Sequence, residues 1–357
     1  MFTSKKKTDS VVGVDLDTDS VAAAARSGIA NVSGAVQPLP EGAFSGGEVV
    51  DVDAVASALR ELFDRADLPK RVRLAVASQG VAFRTVRLPL IEDQEQLKAA
   101  VRFQAQETIP MPLDSAVLDH QVIGAEVGED GSRQIDVAVV AARRQTVDAL
   151  LAAARAAGLD PVGIDLAAFG MIRALAGANP VPAPGQPGAG EEYATATLYC
   201  SLGGVTNLAI ARDFACLFSR VAQFSVRGIA EDLAASTGLA IEHAEQWLVH
   251  TGFDAPLEQL DGDPATVAAA RGVLESNLGR LADELRLSLD YYGAQEGAVP
   301  VGDVVLTGWG SAIPGIAGAL GVQLAREVTV RRPSALAGHS DTEAARLTLP
   351  YGLALEH

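Results

Sequence analysis

Val11-Val12-Gly13-Val14-Asp15-Leu16-Asp17-Thr18-Asp19-Ser20 is the stretch on which the fold turns. A short, mostly apolar run passes straight into polar turn formers, the pattern of a strand that delivers its end to a tight loop. Residues 21–25 supply a return strand, so the segment reads as a strand-turn-strand unit. A similar unit recurs downstream, with a strand over 195–202, the turn Gly203-Gly204-Val205-Thr206 and a return over 208–211. A repeated opening of this kind points to an internal duplication.

Strands and helices alternate outward from these two openings. Residues 53–66 carry Val55, Leu59, Leu62 and Phe63 at helical spacing, and 72–77 form an apolar strand. A second helix is expected over 92–107, entered after Pro89 and closed before Pro110. A strand over 134–142, a helix over 144–157 ended by Gly158 and a strand over 161–166 follow. In the second half, helices are expected over 226–236, 241–249 and 264–292. A strand over 304–307 then opens onto Gly308-Trp309-Gly310-Ser311, with a helix over 313–320 behind it. This alternation defines an α/β class. Residues 177–192, GANPVPAPGQPGAGEE, read as a Gly/Pro-rich linker between two halves.

The formal charge of −17 argues against nucleic acid and against anionic lipid, since both are bound through clustered Lys and Arg. No apolar run approaches the roughly 20 residues that span a bilayer. Aspartates at 15, 17 and 19 interrupt any signal-peptide core. Cys200 and Cys216 are too few for a disulfide framework and read as apolar fillers in a reducing compartment. Residues 356–357 read as a tag remnant. His120, His243, His250, His339 and His357 form no i, i+4 pair, so zinc chemistry is not expected.

Three Gly/Asp/Thr turns in this order resemble the phosphate and adenosine loops of the actin-like ATPase fold. The whole span from about 10 to 355 is more specifically similar to the FtsA/PilM family of actin-like proteins. That resemblance rests on Val12-Gly13-Val14-Asp15-Leu16, Ile109-Pro110-Met111-Pro112, Leu118-Asp119-His120-Gln121-Val122, Gly158-Leu159-Asp160-Pro161, Ser219-Arg220 before Arg227-Gly228, the run 285–292, Leu306-Thr307-Gly308-Trp309-Gly310 and Leu349-Pro350-Tyr351-Gly352-Leu353. It implies two related lobes closing over a nucleotide: a first lobe over 1–176 with an inserted subdomain over about 71–165, and a second over 193–355. It also implies capture of the cytoplasmic N-terminal tail of a PilN-like bitopic membrane protein at the inner face of the cell membrane, within a pilus or related secretion platform. FtsA ends in an amphipathic membrane helix, whereas the last residues here read as a core-like strand, which favours the PilM side of the family.

The resemblance also implies a nucleotide site and shows where this chain departs from it. The first turn of the family runs Asp, apolar, Gly, then Ser or Thr, and here Asp17 stands at the glycine, among Asp15, Thr18 and Asp19. Clustered carboxylates repel phosphates unless a cation lies between them. Either they gather Mg²⁺, with Asp15 as ligand, or nucleotide binding is lost or weakened; Asp and Thr are also ordinary hairpin residues. In the second turn Gly203, Gly204 and Thr206 fit, but Ser201 replaces the acidic residue that orients metal-bound water, so hydrolysis should suffer most. Leu248 stands where a lysine is expected beside Glu245. Gly228, Glu284, Gly308, Trp309, Gly310 and Ser311 complete the nucleotide-binding candidates. Trp309 would stack on a base or fill the cleft, and Glu284 would contact ribose or pair with Arg280. Asp165 would face the cleft or cap a helix. Leu97, Val101 and Phe103 would line a peptide groove or form a core face. The expectation is a pilus-platform scaffold that hydrolyses ATP weakly or not at all. The alternatives are an active actin-like ATPase and an FtsA-like filament.

Overall fold

The computed structural model describes residues 10–26, 32–127, 132–176 and 195–355. The expected linker 177–192 and residues 356–357 lie outside these.

The first lobe opens as a meander of β1 (Val12–Leu16), β2 (Ser20–Arg26) and β3 (Val32–Pro38), followed by the small hairpin β4 (Phe44–Ser45) and β5 (Glu48–Val49). Helix α1 (Val52–Ala66) starts where the Asp51 side chain accepts from the amides of Asp53 and Ala54, and it ends at Asp67 in a left-handed conformation. Its stripe of Val55, Leu59, Leu62 and Phe63 is buried against the sheet. Then come β6 (Arg71–Val76), β7 (Val81–Pro89), α2 (Gln94–Thr108), β8 (Ala116–Val127), β9 (Arg133–Arg143), α3 (Arg144–Ala156), β10 (Asp160–Leu166) and α4 (Ala167–Ala176). The sheet order is β10-β6-β1-β2-β3, antiparallel across β1, β2 and β3 and parallel across β1, β6 and β10.

The second lobe repeats this pattern. Strands β11 (Ala196–Leu202), β12 (Thr206–Arg212) and β13 (Ala215–Ala222) form the meander, and α5 (Val226–Thr237), α6 (Ile241–Thr251) and α7 (Pro264–Gly293) form the crossover. The lobe continues through β14 (Val301–Thr307), α8 (Ile316–Leu324) and β15 (Val328–Val330), and the chain returns in α9 (Asp341–Ala354). Its sheet runs β13-β12-β11-β14-β15, with the same antiparallel and parallel pairings. The duplication expected from the two openings is therefore a duplication of the whole five-stranded sheet.

Helix α4 joins the lobes. It is apolar nearly all round, so it is buried on both sides. Met171, Ile172 and Leu175 share one core with first-sheet residues and with Tyr199, Ala209 and Val305 of the second sheet. Cys200 and Cys216 are buried free thiols within the second lobe, and burial pushes both thiols up from their ordinary range.

Four boundaries differ from expectation. First, β6 and β10 belong to the first lobe's main sheet, so the separate three-stranded unit, ordered β7-β9-β8, spans 81–143 rather than 71–165. It packs α2 on its own small core. Second, the last residues are not a strand but the final turns of α9, which starts with a capping box between Ser340 and Glu343 and carries Pro350 inside. Third, α9 lies on the first lobe, with Leu349 and Leu353 in the core of that lobe and Leu347 beside Ala22 and Ala24. Fourth, Pro314 and Gly315 delay α8 to Ile316, behind a short 3-10 turn at Trp309–Ala312. Among the described residues no helix is long and apolar enough to cross a membrane.

Backbone proximity explains why α9 sits where it does. A Cβ on Gly13 would lie 1.9 Å from the Pro350 carbonyl oxygen, and one on Gly352 would lie 1.8 Å from that of Gly170. The C-terminal carbonyls of α9 are taken by two arginines. Arg73 donates to Leu353 at 2.9 Å, and Arg173, ion-paired to Asp165, donates to Gly352 at 2.9 Å. Substituting Gly352→Ala should therefore lower stability by about 1–3 kcal/mol through overpacking. Gly272→Ala, on α7 with open space around it, should be neutral or stabilise by up to about 1 kcal/mol. Urea unfolding of the pair checks both, and equal midpoints would refute the close approach of α9.

Candidate functional site

Three turns face one another at the junction of the lobes. The β1–β2 turn brings Asp15, Asp17 and Asp19. The β11–β12 turn brings Gly203 and Gly204. The turn after β14 brings Gly308, Trp309 and Gly310. Asp15, Asp17, Gly203, Gly308 and Trp309 line the cleft between these turns, together with Ser201, Leu202 and, from α9, Arg346 and Leu349.

The first two turns are in direct contact. Asp17 Oδ1 accepts from the Gly204 amide at 2.7 Å and from the Thr18 amide at 2.8 Å. A Cβ on Gly203 would lie 2.6 Å from Asp17 Oδ2, and one on Gly204 would lie 2.1 Å from Thr18 Oγ1. Asp19 forms a two-pronged pair with Arg346, at 2.8 Å from Nη1 to Oδ1 and 2.6 Å from Nη2 to Oδ2, and Arg346 Nη1 also donates to Ser20 Oγ. The Arg346 guanidinium lies 5.2 Å from the centre of the Trp309 ring, a cation-π contact from α9 to the second lobe.

The charges in this enclosure are strongly perturbed. Burial, reinforced by the neighbouring Asp17, pushes the Asp15 carboxyl up to about 8. Asp17 is also raised, first by burial and then by Asp19. Burial works against the Asp19 charge too, yet the hydrogen bonds and charge of Arg346 outweigh it and hold that carboxyl below its usual range. Glu245, raised by burial and by Asp19, keeps one buried oxygen without a hydrogen-bond partner.

The remaining candidates fall in several environments. Ser201 is buried at the end of β11, opposite Thr307 of β14. Thr206 is fully buried, and its hydroxyl has no hydrogen-bond partner. The Gly228 amide is consumed by the cap of α5, donating to Ser225 Oγ. Gly308, at φ 78°, and Gly310 allow the third turn to close on Leu202 and Val226, and Ser311 Oγ donates back to the Gly308 carbonyl. Trp309 is buried and fills the cleft beneath Arg346, with its indole N–H unpartnered. Leu248 lies in the second core.

Glu284 pairs with Arg220 of β13 at 2.9 Å, not with Arg280, which donates to Asn277 instead. The expected i, i+4 pair yields to a partner brought in by the sheet. Asp165 accepts from the Leu166 amide and pairs with Arg173, a structural role beneath α9. Leu97 and Val101 do not line a groove: they are 3% and 0% exposed, in the core between α2 and the three-stranded sheet. Phe103 points outward at 65% exposure. Sequence reasoning missed Arg346 altogether, because its hydrogen-bond partners lie more than 300 residues away along the chain. The one available signal was the need of a three-aspartate turn for a cation.

The free space is about 30 Å³, room for one or two water molecules. Among the described residues no group of three metal-ligating side chains converges. Asp19 is committed to Arg346 and Asp17 to the glycine turn, and burial favours the neutral form of Asp15.

The fold has clear relatives. The family model for the type IV pilus assembly protein PilM matches residues 13–356. The chain belongs to the PilM family. A chain of the PilM-PilN type IV pilus biogenesis complex is 24% identical to it and superposes with a TM-score of 0.78, covering 97% of both chains. The ethanolamine utilization protein EutJ from Carboxydothermus hydrogenoformans is 16% identical, with a TM-score of 0.56 over 97% of this chain and 89% of that one. MreB5 of Spiroplasma citri, solved bound to AMPPNP, is 13% identical, with a TM-score of 0.56 over 97% and 95%. The fold is thus the actin-like one, and the chain is a PilM-type member of it.

The raised Asp15 carboxyl has a measurable consequence. Between about pH 4 and 8 the folded state holds a proton that the unfolded chain releases, so Asp15 makes stability fall as pH rises across that window. Asp15→Asn stays neutral at every pH. Its Tm should exceed that of the wild type by about 4 °C at pH 8, with the gap shrinking toward pH 5. A gap independent of pH in calorimetric scans would show that Asp15 ionises normally.

Proposed function

We propose that this PilM-family chain is a scaffold of a type IV pilus or related inner-membrane platform that captures the short cytoplasmic tail of a PilN-like bitopic membrane protein. In this reading the partner holds it at the inner face of the cell membrane, without lipid contact of its own. The observation that carries the proposal is the likeness along 97% of both chains to a component of a PilM-PilN complex. The negative charge of −17 favours a basic tail. The three-stranded unit over 81–143 offers an edge strand, β8, on which Val122 and Val127 are exposed, a geometry suited to adding a peptide strand.

In the same reading the nucleotide site is degenerate and ATP is not turned over. Ser201 offers a hydroxyl where a carboxylate would orient water, and carboxylates occupy the ground that phosphates need. The protein acts by binding and not by catalysis.

Calorimetry tests both parts on the purified chain. Synthetic N-terminal tails of PilN-like proteins should bind with micromolar affinity, equally with and without ATP and Mg²⁺, while ATP and Mg²⁺ alone should give no binding heat. Failure of every tail to bind would overturn the scaffold reading. Micromolar ATP binding with steady phosphate release would overturn the degenerate site.

A further inference from the structure

We propose that the Asp17 carboxylate stands in for a nucleotide phosphate and holds the two lobes closed without any ligand. The inference rests on the degenerate-site reading above and deepens it: the cleft has not merely lost a ligand but has built the ligand's anionic contact into the chain.

A glycine turn at the end of a strand presents free backbone N–H groups that suit an oxyanion. Here that donor is already satisfied by a carboxylate oxygen from the opposite lobe, with one atom, Asp17 Oδ1, receiving the amides of both Thr18 and Gly204. The two glycines are what make the contact sterically possible. Any side chain at 203 or 204 would run into Asp17 or Thr18 at 2.6 Å or less. The glycines of the second turn therefore serve the first turn directly.

A bare carboxylate at this point would be repelled by Asp19, which also faces Glu245, and the same crowding favours the neutral form of Asp15. Arg346 offsets this repulsion. It neutralises Asp19 with two hydrogen bonds, lies over Trp309, and attracts both Asp17 and Glu245, while Arg227 faces Glu245 from α5. The guanidinium comes from α9 on the first lobe and the indole from the second lobe, so this contact closes the cleft in parallel with Asp17 and Gly204. Beyond the cleft, the Gln223 side-chain amide donates to Gln79 Oε1 at 3.0 Å, a third polar tie across the lobes. The protein thereby presents one closed form to its partner at all nucleotide concentrations.

Hydrogen exchange read by mass spectrometry on the full chain tests the tie, comparing wild type with Asp17→Gly and Asp17→Asn. Peptides containing Gly204 should exchange on the order of tenfold faster in Asp17→Gly, as expected for loss of one charge-assisted hydrogen bond. In Asp17→Asn, which keeps an oxygen acceptor but not the charge, the increase should be smaller, between wild type and Asp17→Gly. Far-UV circular dichroism checks that both variants are folded. Calorimetry with inorganic pyrophosphate and with ATP and Mg²⁺ should show binding to Asp17→Gly and none to wild type. Equal exchange at Gly204 in folded wild type and Asp17→Gly would overturn the tie, even where wild type binds no ATP and the degenerate-site reading stands. Faster exchange without anion binding by Asp17→Gly would overturn the substitution for phosphate. Binding of ATP by wild type would strike the degenerate-site reading itself.

Discussion

The contact between a carboxylate in one lobe and a glycine amide in the other is the constraint around which this molecule is arranged. Each lobe ends its central hairpin in a turn aimed at the other, so whatever lies between the turns decides whether the lobes meet. Here Asp17 and Gly204 meet at hydrogen-bond distance. Enclosing acidic groups away from water is costly unless a partner is close. The contact therefore requires Arg346, and Arg346 requires α9 to be held firmly where it is.

That requirement accounts for the unusual packing at the C-terminal helix. Small residues on β1 and α4 let the α9 backbone approach closer than any side chain would permit, and Arg73 and Arg173 satisfy its last carbonyls. An arginine carried on a helix fixed in this way loses little freedom when it binds. Its paired hydrogen bonds to Asp19 and its stacking on Trp309 are then geometrically defined. In this PilM-family chain the actin-like architecture supplies two lobes and three converging turns, and the local chemistry joins two of those turns directly.

Much of this was legible in the sequence. The apolar runs that end in polar turns marked β1 and β11, and helical spacing marked α1, α5, α6 and α7, because those elements bury one face on a local period. The acidic first turn was also readable, as was its conflict with phosphate. Other elements were not. The long strands β7 and β8 mix charged and apolar residues, since they lie at the two edges of a small sheet and expose part of their surface. Residues 349–355 look strand-like because they are apolar almost continuously, a pattern that a helix buried on several sides shares with a core strand. The stripe at Leu97 and Val101 pointed more to a core face than to a groove, and the sheet beneath it decides for the core.

By itself the sequence determined the duplicated α/β frame, the three turns and the departure of Asp15, Asp17 and Asp19 from a phosphate-binding pattern. These depend on residue type and short-range periodicity, which a linear chain records. Only the tertiary structure decided that Asp17 reaches Gly204, that Arg346 covers Asp19, that Glu284 turns to Arg220 and that α9 joins the first lobe. Those outcomes depend on which groups become neighbours after separations of 64 to 327 residues, and on the desolvation that follows. Spacing along the chain carries no record of either.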